Sequence, residues 1–298
     1  MEHWHRSGQA LLNEISATQL PASQLAVWSI GQCGFIFKYE DTVVCIDPVL
    51  SDLTGPNGSR RCYPAPFVPE ALRADLVLCT HGHADHMAKK TLRGLARHPA
   101  ARFVLPAGCS ALAAEYGIPA DRITTVQEGS ILPLGVVTVR AFSAAHPEHI
   151  LDAGDPGMAL GYQLTFGSFT VVHLGDTYLT PHLYETLQAL PRPDLLLAPI
   201  NGQDFFRTQR NCIGNLEAEE AAQLAVRLGA ACTIPTHYDM VQGNTVDPLR
   251  FAAALRQLDP AACFALPALG ERLLFQADAG RKDSSVFSCP PPSSSIQR

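Results

Sequence analysis

The sequence of 298 residues predicts a layered α/β domain, and three observations carry that prediction. Short runs rich in Val, Ile and Leu recur along the chain. Helical patterns lie between several of them. The composition, 47% apolar and 17% charged, is that of an ordinary globular protein long enough to bury a sizeable core.

Taken in order, the runs are "LAVWSIG", "TVVCIDPVL", "ADLVLCTH", "ARFVLPA", "VVTVRAF", "MALGYQLTF", "FTVVHLGD", "DLLLAPI" and "ACTIPTH". Their length and β-branched content read as strands. Three segments read as helices. "MAKKTLRGLARH" follows the third run, and "PHLYETLQAL" opens on a proline suited to a first helical turn. "NLEAEEAAQLAVRLGA" is the clearest, with Asn215 as the expected N-cap, acidic residues in its first turn and Gly229 to end it. No sharp linker interrupts residues 20 to 275, so one domain is expected over 25–277. A helical segment over 1–24 should precede it, and a Ser/Pro-rich tail over 278–298, expected to be disordered, should follow.

A net charge of −6 argues against a nucleic-acid partner. No window approaches the apolar length of a membrane helix, and the N-terminus has no signal-peptide pattern. The nine cysteines are odd in number, scattered and without a CxxC pair, which fits a reduced, cytoplasmic protein.

One stretch carries chemistry. "LCTHGHADHMAKK" places His81, His83, Asp85 and His86 where an apolar strand ends and a helix is about to start. His81 and His83 are expected on the strand-to-helix loop, pointing the same way. Asp85 and His86 are expected near the start of the helix, pointing elsewhere, so the two pairs could serve two adjacent ions. Imidazole and carboxylate suit Zn(II), Mn(II) or Fe(II), with no thiolate to force a softer choice. Other runs end in further candidates: His146, Asp176, whose carboxylate could bridge, and His237. His173 reads as a supporting or structural residue; His3, His5, His98 and His182 read as surface residues. Cys212 sits in a polar loop with no base beside it in sequence.

"THGHADH", a single His, "GDT" and "THYD", in that order, resemble the motifs of the metallo-β-lactamase superfamily. The resemblance implies a four-layer αβ/βα sandwich. It also implies His81, His83 and His146 at one metal, Asp85, His86 and His237 at the other, and Asp176 as the bridge. His149 competes with His146 for its place. "WSIGQCGFIFKYEDTVVCIDPVLSD", "APFVPEALRADLVLCTHGHADH", "INGQDFFRTQRNCIGN" and "HYDMVQGNTVDP" further resemble the L-ascorbate-6-phosphate lactonase branch. That branch implies manganese, with zinc as the alternative, and a homo-oligomer. It implies opening of L-ascorbate 6-phosphate to 3-keto-L-gulonate 6-phosphate.

Two close divalent ions would acidify a shared water, and the resulting hydroxide could attack a carbonyl carbon or a phosphorus. Asp85 could orient that nucleophile or accept a proton. A phosphorylated substrate needs cations; Arg207 and Arg210, flanked by Asn201 and Asn211, are the expected clamp. Arg60 and Arg61 are a second pair, and Tyr238 a substrate contact. The rival readings are a small-molecule or cyclic-nucleotide phosphodiesterase and a non-catalytic metal-binding scaffold. A redox di-iron protein is disfavoured, because His83 stands where that branch would place an acidic ligand and no flavin-binding domain is visible.

Overall fold

The computed structural model describes residues 3–53, 60–146, 158–210, 212 and 214–277. The expected tail, together with His149 and Asn211, lies outside the described residues.

Two sheets pack face to face. The first holds β1 (Gln24–Gly31), β2 (Gly34–Tyr39), β3 (Thr42–Ile46), β4 (Leu76–Leu78), β5 (Arg102–Pro106) and β6 (Ile123–Val126) in chain order, with the last strand, β13 (Arg272–Gln276), on the free edge of β1. The second holds β7 (Ile131–Leu134), β8 (Val137–Ser143), β9 (Leu160–Phe166), β10 (Phe169–His173), β11 (Leu195–Pro199) and β12 (Cys232–Thr236), again as neighbours in order. Each sheet is antiparallel at one end and parallel at the other: β3 to β6 run parallel, as do β10 to β12.

The period-two alternation of the strands sorts their side chains between layers. Leu25 and Val27 face the second sheet, in a core with Phe35, Phe37, Val139, Tyr162, Leu164 and Leu197. Ala26 and Trp28, one residue out of phase, face the helices on the outside of the first sheet. Those helices are α1 (Gly8–Ala17), α2 (Lys89–Leu95) and α3 (Ser110–Glu115). On the far side, α4 (Pro181–Ala189), α6 (Ala218–Arg227) and α7 (Leu249–Leu258) bury Leu183, Leu187, Ala221, Leu224 and Phe251 against the second sheet. A one-turn helix, α5 (Phe205–Thr208), lies in the connection between β11 and α6. The result is the expected αβ/βα sandwich. Among the described residues, no helix is long and apolar enough to cross a membrane.

Local chemistry explains the helix ends. The Thr180 hydroxyl accepts from the Leu183 amide ahead of Pro181, so α4 starts where the proline predicts. Gly229 adopts φ +62 after α6; its N–H donates to Val226 O and that of Ala230 to Ala225 O, the paired bonds of a Schellman stop. Asn215 does not cap this helix. Glu217 occupies the N-cap position, and the Asn215 amide instead donates to Asn201 Oδ1 at 2.9 Å in a buried pair. Asp85 and His86 also precede their helix rather than open it: α2 begins at Lys89, and both lie in a tight turn closed by the His86 and Met87 amides on His83 O.

Candidate metal centre

The parallel strands deliver their ends to one edge of the sandwich, and every metal-ligand candidate described sits there. His81, His83, Asp85 and His86 follow β4; His146 follows β8; Asp176 follows β10; His237 follows β12. Seven residues far apart in the chain thus converge from both sheets. Their donor atoms fall into groups whose members all lie within 4.8 Å of one another: His81, His83, His146 and Asp176 in one, Asp85, His86 and His237 in another. His81 Nε2 lies 2.8 Å from His83 Nδ1, and His146 Nε2 lies 3.3 Å from the same atom. Asp176 spans the groups: its Oδ1 is 3.2 Å from His86 Nε2, while its Oδ2 is 3.1 Å from His237 Nε2 and 3.9 Å from His146 Nε2.

Three residues here carried no sequence expectation. Asp47, just past β3, is fully buried, and it accepts from the Thr80 amide (2.7 Å), the Thr80 hydroxyl (2.7 Å) and His86 Nδ1 (2.7 Å). A carboxylate only accepts, so His86 Nδ1 carries a proton, and it is the Nε2 lone pair of the neutral ring that would face the centre. The Thr80 hydroxyl donates to Asp47, so its lone pair is left to accept from His81 Nδ1–H at 3.1 Å, which turns that ring the same way. Gln32 and Cys33 form the two-residue loop between β1 and β2, where Gly31 pairs with Gly34. Gln32 Nε2 donates to Asp85 Oδ2 at 2.7 Å, and the Cys33 thiol lies 3.8 Å from Asp176 Oδ1. A two-residue hairpin flanked by glycines, "GQCG", is a readable turn, but nothing in it announces a metal.

Backbone strain gathers at the same place. Gln32, Asp47 and His237 have φ of 56, 44 and 57, a region that costs a side-chain-bearing residue about 1–3 kcal/mol. Hydrogen bonds hold them there: His237 N–H donates to Gln32 O at 3.0 Å, and Gln32 N–H to Asp239 Oδ1 at 2.9 Å. His173 has the supporting place expected of it. Its Nε2–H donates to Cys33 O at 2.8 Å, and its Nδ1 accepts from Gly175 N–H at 3.1 Å, so it braces the segment that carries Asp176.

Electrostatics follow from burial and crowding. Burial, then His86 and His83, hold His81 well below the ordinary histidine range. Burial also pulls on His86, but Asp176, Asp47 and Asp85 overcome it and hold that ring well above the range. His237 is opposed by burial and carried up to about 9 by Asp176 and Asp85. Burial alone would raise Asp176; His237 and His86 hold it well below the usual carboxylate range. Burial, then Asp176, push the Cys33 thiol well up.

The donor set fits divalent metal ions. His86 Nε2 is buried and makes no well-aligned hydrogen bond, although three carboxylates surround its ring. Gln32 Oε1 is a second buried atom without a partner. Such orphans are rare in a closed core and expected of atoms aimed at a ligand site.

The substrate candidates separate from one another. Arg207 Nη1 donates to Asn201 O (2.7 Å) and Asn244 Oδ1 (2.8 Å), and its Nε pairs with Asp204, so its guanidinium holds its own loop together. Arg210 is exposed; it lines with Arg207 a cleft of about 420 Å³ that Asn201, Gly243 and Arg250 also border. The Cys212 thiol is half-buried, and burial, joined by Asp85 and opposed by Arg207 and Arg210, pushes it above its ordinary range. Tyr238 packs against the helix-side core. Arg61 donates to Val49 O, Ser51 O and Tyr63 O, anchoring the segment after β3. His98 and His182 lie on the surface, bound to Glu70 O and Glu128.

Comparison with known proteins agrees with this geometry. The sequence model described as "Beta-lactamase superfamily domain" matches residues 42–238, well over half of the chain. A UPF0173 metal-dependent hydrolase of Methanoregula boonei is 31% identical over 224 residues, covering 70% of this chain and 88% of its own. Among solved structures, an isothiocyanate hydrolase from Delia radicum gut bacteria superposes with a TM-score of 0.69 at 19% identity, over 85% of this chain and all (100%) of that one. Igni18, a metallo hydrolase from Ignicoccus hospitalis, gives 0.66 at 20% identity over 86% and 100%. The fold, the ordered ligand motifs and the family match lead to one conclusion: this chain belongs to the metallo-β-lactamase superfamily.

Proposed function

We propose that this chain is a metal-dependent hydrolase that opens a lactone or ester carbonyl, with a phosphorylated sugar lactone such as L-ascorbate 6-phosphate as its substrate and 3-keto-L-gulonate 6-phosphate as the product. The convergence of five histidines (81, 83, 86, 146 and 237) with Asp85 and Asp176 at one edge of the sandwich supports this reading most directly. The metal-dependent hydrolase from Methanoregula boonei supports the reaction class. Mn(II) and Zn(II) both match the imidazole and carboxylate ligands.

When bound, the two ions supply Lewis acidity and an acidified water. The residues of the chain orient and exchange the proton. Asp85 is the more accessible of the two site carboxylates, 21% exposed against 5% for Asp176, so substrate enters on its side. Gln32 Nε2 holds Asp85 Oδ2, which leaves the other carboxylate oxygen to orient the attacking water or take its proton. Asp176 keeps both groups of ligands in register. Arg207 positions the 204–210 loop, and Arg210 meets the substrate phosphate from the adjoining cleft.

The test is turnover by protein stripped with a chelator and then given Mn(II) or Zn(II). Substrates are L-ascorbate 6-phosphate, an unphosphorylated lactone and a phosphodiester. Metal-restored opening of the phosphorylated lactone is expected. Turnover of the phosphodiester alone would replace the reaction, and no metal-dependent turnover of any of the three would leave a scaffold. Arg210→Ala should raise KM for the phosphorylated lactone several-fold more than for the unphosphorylated one; equal effects would remove Arg210 from phosphate binding.

A further inference from the structure

The metal motifs of the sequence offer imidazole and carboxylate ligands without a cysteine, but folding brings one beside them. Cys33 is completely buried, and its Sγ forms a compact group with His86 Nε2 and Asp176 Oδ1. Zinc–sulfur bonds of about 2.3 Å and zinc–nitrogen or zinc–oxygen bonds of about 2.0–2.1 Å, at tetrahedral angles, put neighbouring ligand atoms roughly 3.3–3.6 Å apart. His86 Nε2 lies 3.2 Å and Cys33 Sγ 3.8 Å from the same Asp176 oxygen, close to those separations. His86 Nε2 supplies an independent sign of a ligand at this point, since it is buried and lacks a hydrogen bond while Asp47 engages the opposite nitrogen of the ring.

We infer that Cys33 is a thiolate ligand of the ion held by His86 and Asp176, and that it sets the preference of this centre for Zn(II) over Mn(II). The inference rests on the metal-centre reading above and adds to it a residue from the β1–β2 turn. On binding, the Cys33 S–H proton leaves for solvent as the sulfur–metal bond forms, with no change of oxidation state. The Thr236 hydroxyl, 3.6 Å from Sγ and now accepting from the thiol, turns to donate to the thiolate. The backbone of Cys33 is held for this by His173 Nε2 on its carbonyl. A thiolate favours zinc, whereas manganese prefers oxygen ligands.

Cobalt(II) tests this without reference to turnover. Metal-depleted wild type is titrated with Co(II), and its near-ultraviolet thiolate-to-cobalt band is followed together with bound metal per chain. A band lost in Cys33→Ser but retained in Cys212→Ser is the expected result. The Zn(II)-over-Mn(II) preference should also fall by at least about tenfold in Cys33→Ser, the lower end of what residues supporting a metal site contribute. Cobalt bound without the band, or a band that survives Cys33→Ser, overturns the role of Cys33 and leaves the centre standing. No bound cobalt overturns the centre itself. Should the serine variant fail to fold, zinc-edge absorption on the wild type decides: a sulfur neighbour at about 2.3 Å supports the ligand, and a shell of nitrogen and oxygen alone excludes it.

Discussion

Asp47 and Thr80 make no bid for a metal ion themselves, yet between them they decide which nitrogen of His86 and of His81 is free to bind one. Replacing Asp47 by Asn keeps the volume and an acceptor for the Thr80 amide. It also presents an N–H to His86 Nδ1, which drives the ring proton onto the nitrogen aimed at the centre. The expected outcome is a loss of about 10–100-fold in affinity for the ion at His86, read by competition with a chelating dye. Unchanged affinity would mean that the imidazole is set by something else. The seven ligand candidates were legible because each follows an apolar strand in a motif that can be read locally. Asp47, Gln32 and Cys33 were not. Asp47 follows a strand like any turn residue, and the Gln32–Cys33 hairpin gains its meaning only when β1 and β2 are set against β10 and β12.

At the level of the elements, one buried group and one half-buried one explain attachments that periodicity does not show. Lys38 on β2 is 5% exposed, and its ammonium donates to Ile15 O (2.8 Å) and Ser16 O (3.0 Å), the end of α1. Lysine at a helix C-terminus meets both the unpaired carbonyls and the dipole. Lys38→Met should therefore destabilise the protein by about 1–3 kcal/mol, with hydrogen exchange rising first over residues 8–17. Uniform exchange across the sandwich would instead mark a general core defect. Asp194, just before β11, accepts from Thr170 N–H at 2.7 Å, and burial pushes its carboxyl up to about 6. A folded value above the unfolded one of about 3.9 means that the native state holds the proton more tightly, so this group lowers stability as pH rises between about 4 and 6. The unfolding free energy of Asp194→Asn relative to wild type should climb through that window and stay level above it; a flat difference would show an unshifted carboxyl. Element ends were the least readable features. Asn215 has the chemistry of an N-cap, but its amide is worth more buried against Asn201, and α6 starts after Glu217 instead. β2 was not singled out as a strand because it opens on a glycine and Lys38 breaks its short apolar run; only the fold shows that lysine to be buried.

On the scale of the whole molecule, each sheet contributes part of the centre and neither holds it alone. Asp47 and residues 81–86 come from the first sheet; His146, Asp176 and His237 come from the second. Metal bound there stabilises the docked pair of sheets by mass action, about 2.7 kcal/mol when free metal is 100 times Kd. Chelation should lower the melting temperature accordingly, and a melting temperature indifferent to chelator would separate the centre from the packing. There is also an order in time. A chain made from its N-terminus presents His81 through His86 long before Asp176, and His237 only near the end of the domain. The early cluster emerges as a bare group of histidines with no bridging carboxylate to share. Full occupancy therefore has to wait until His237 has emerged and the two sheets have met.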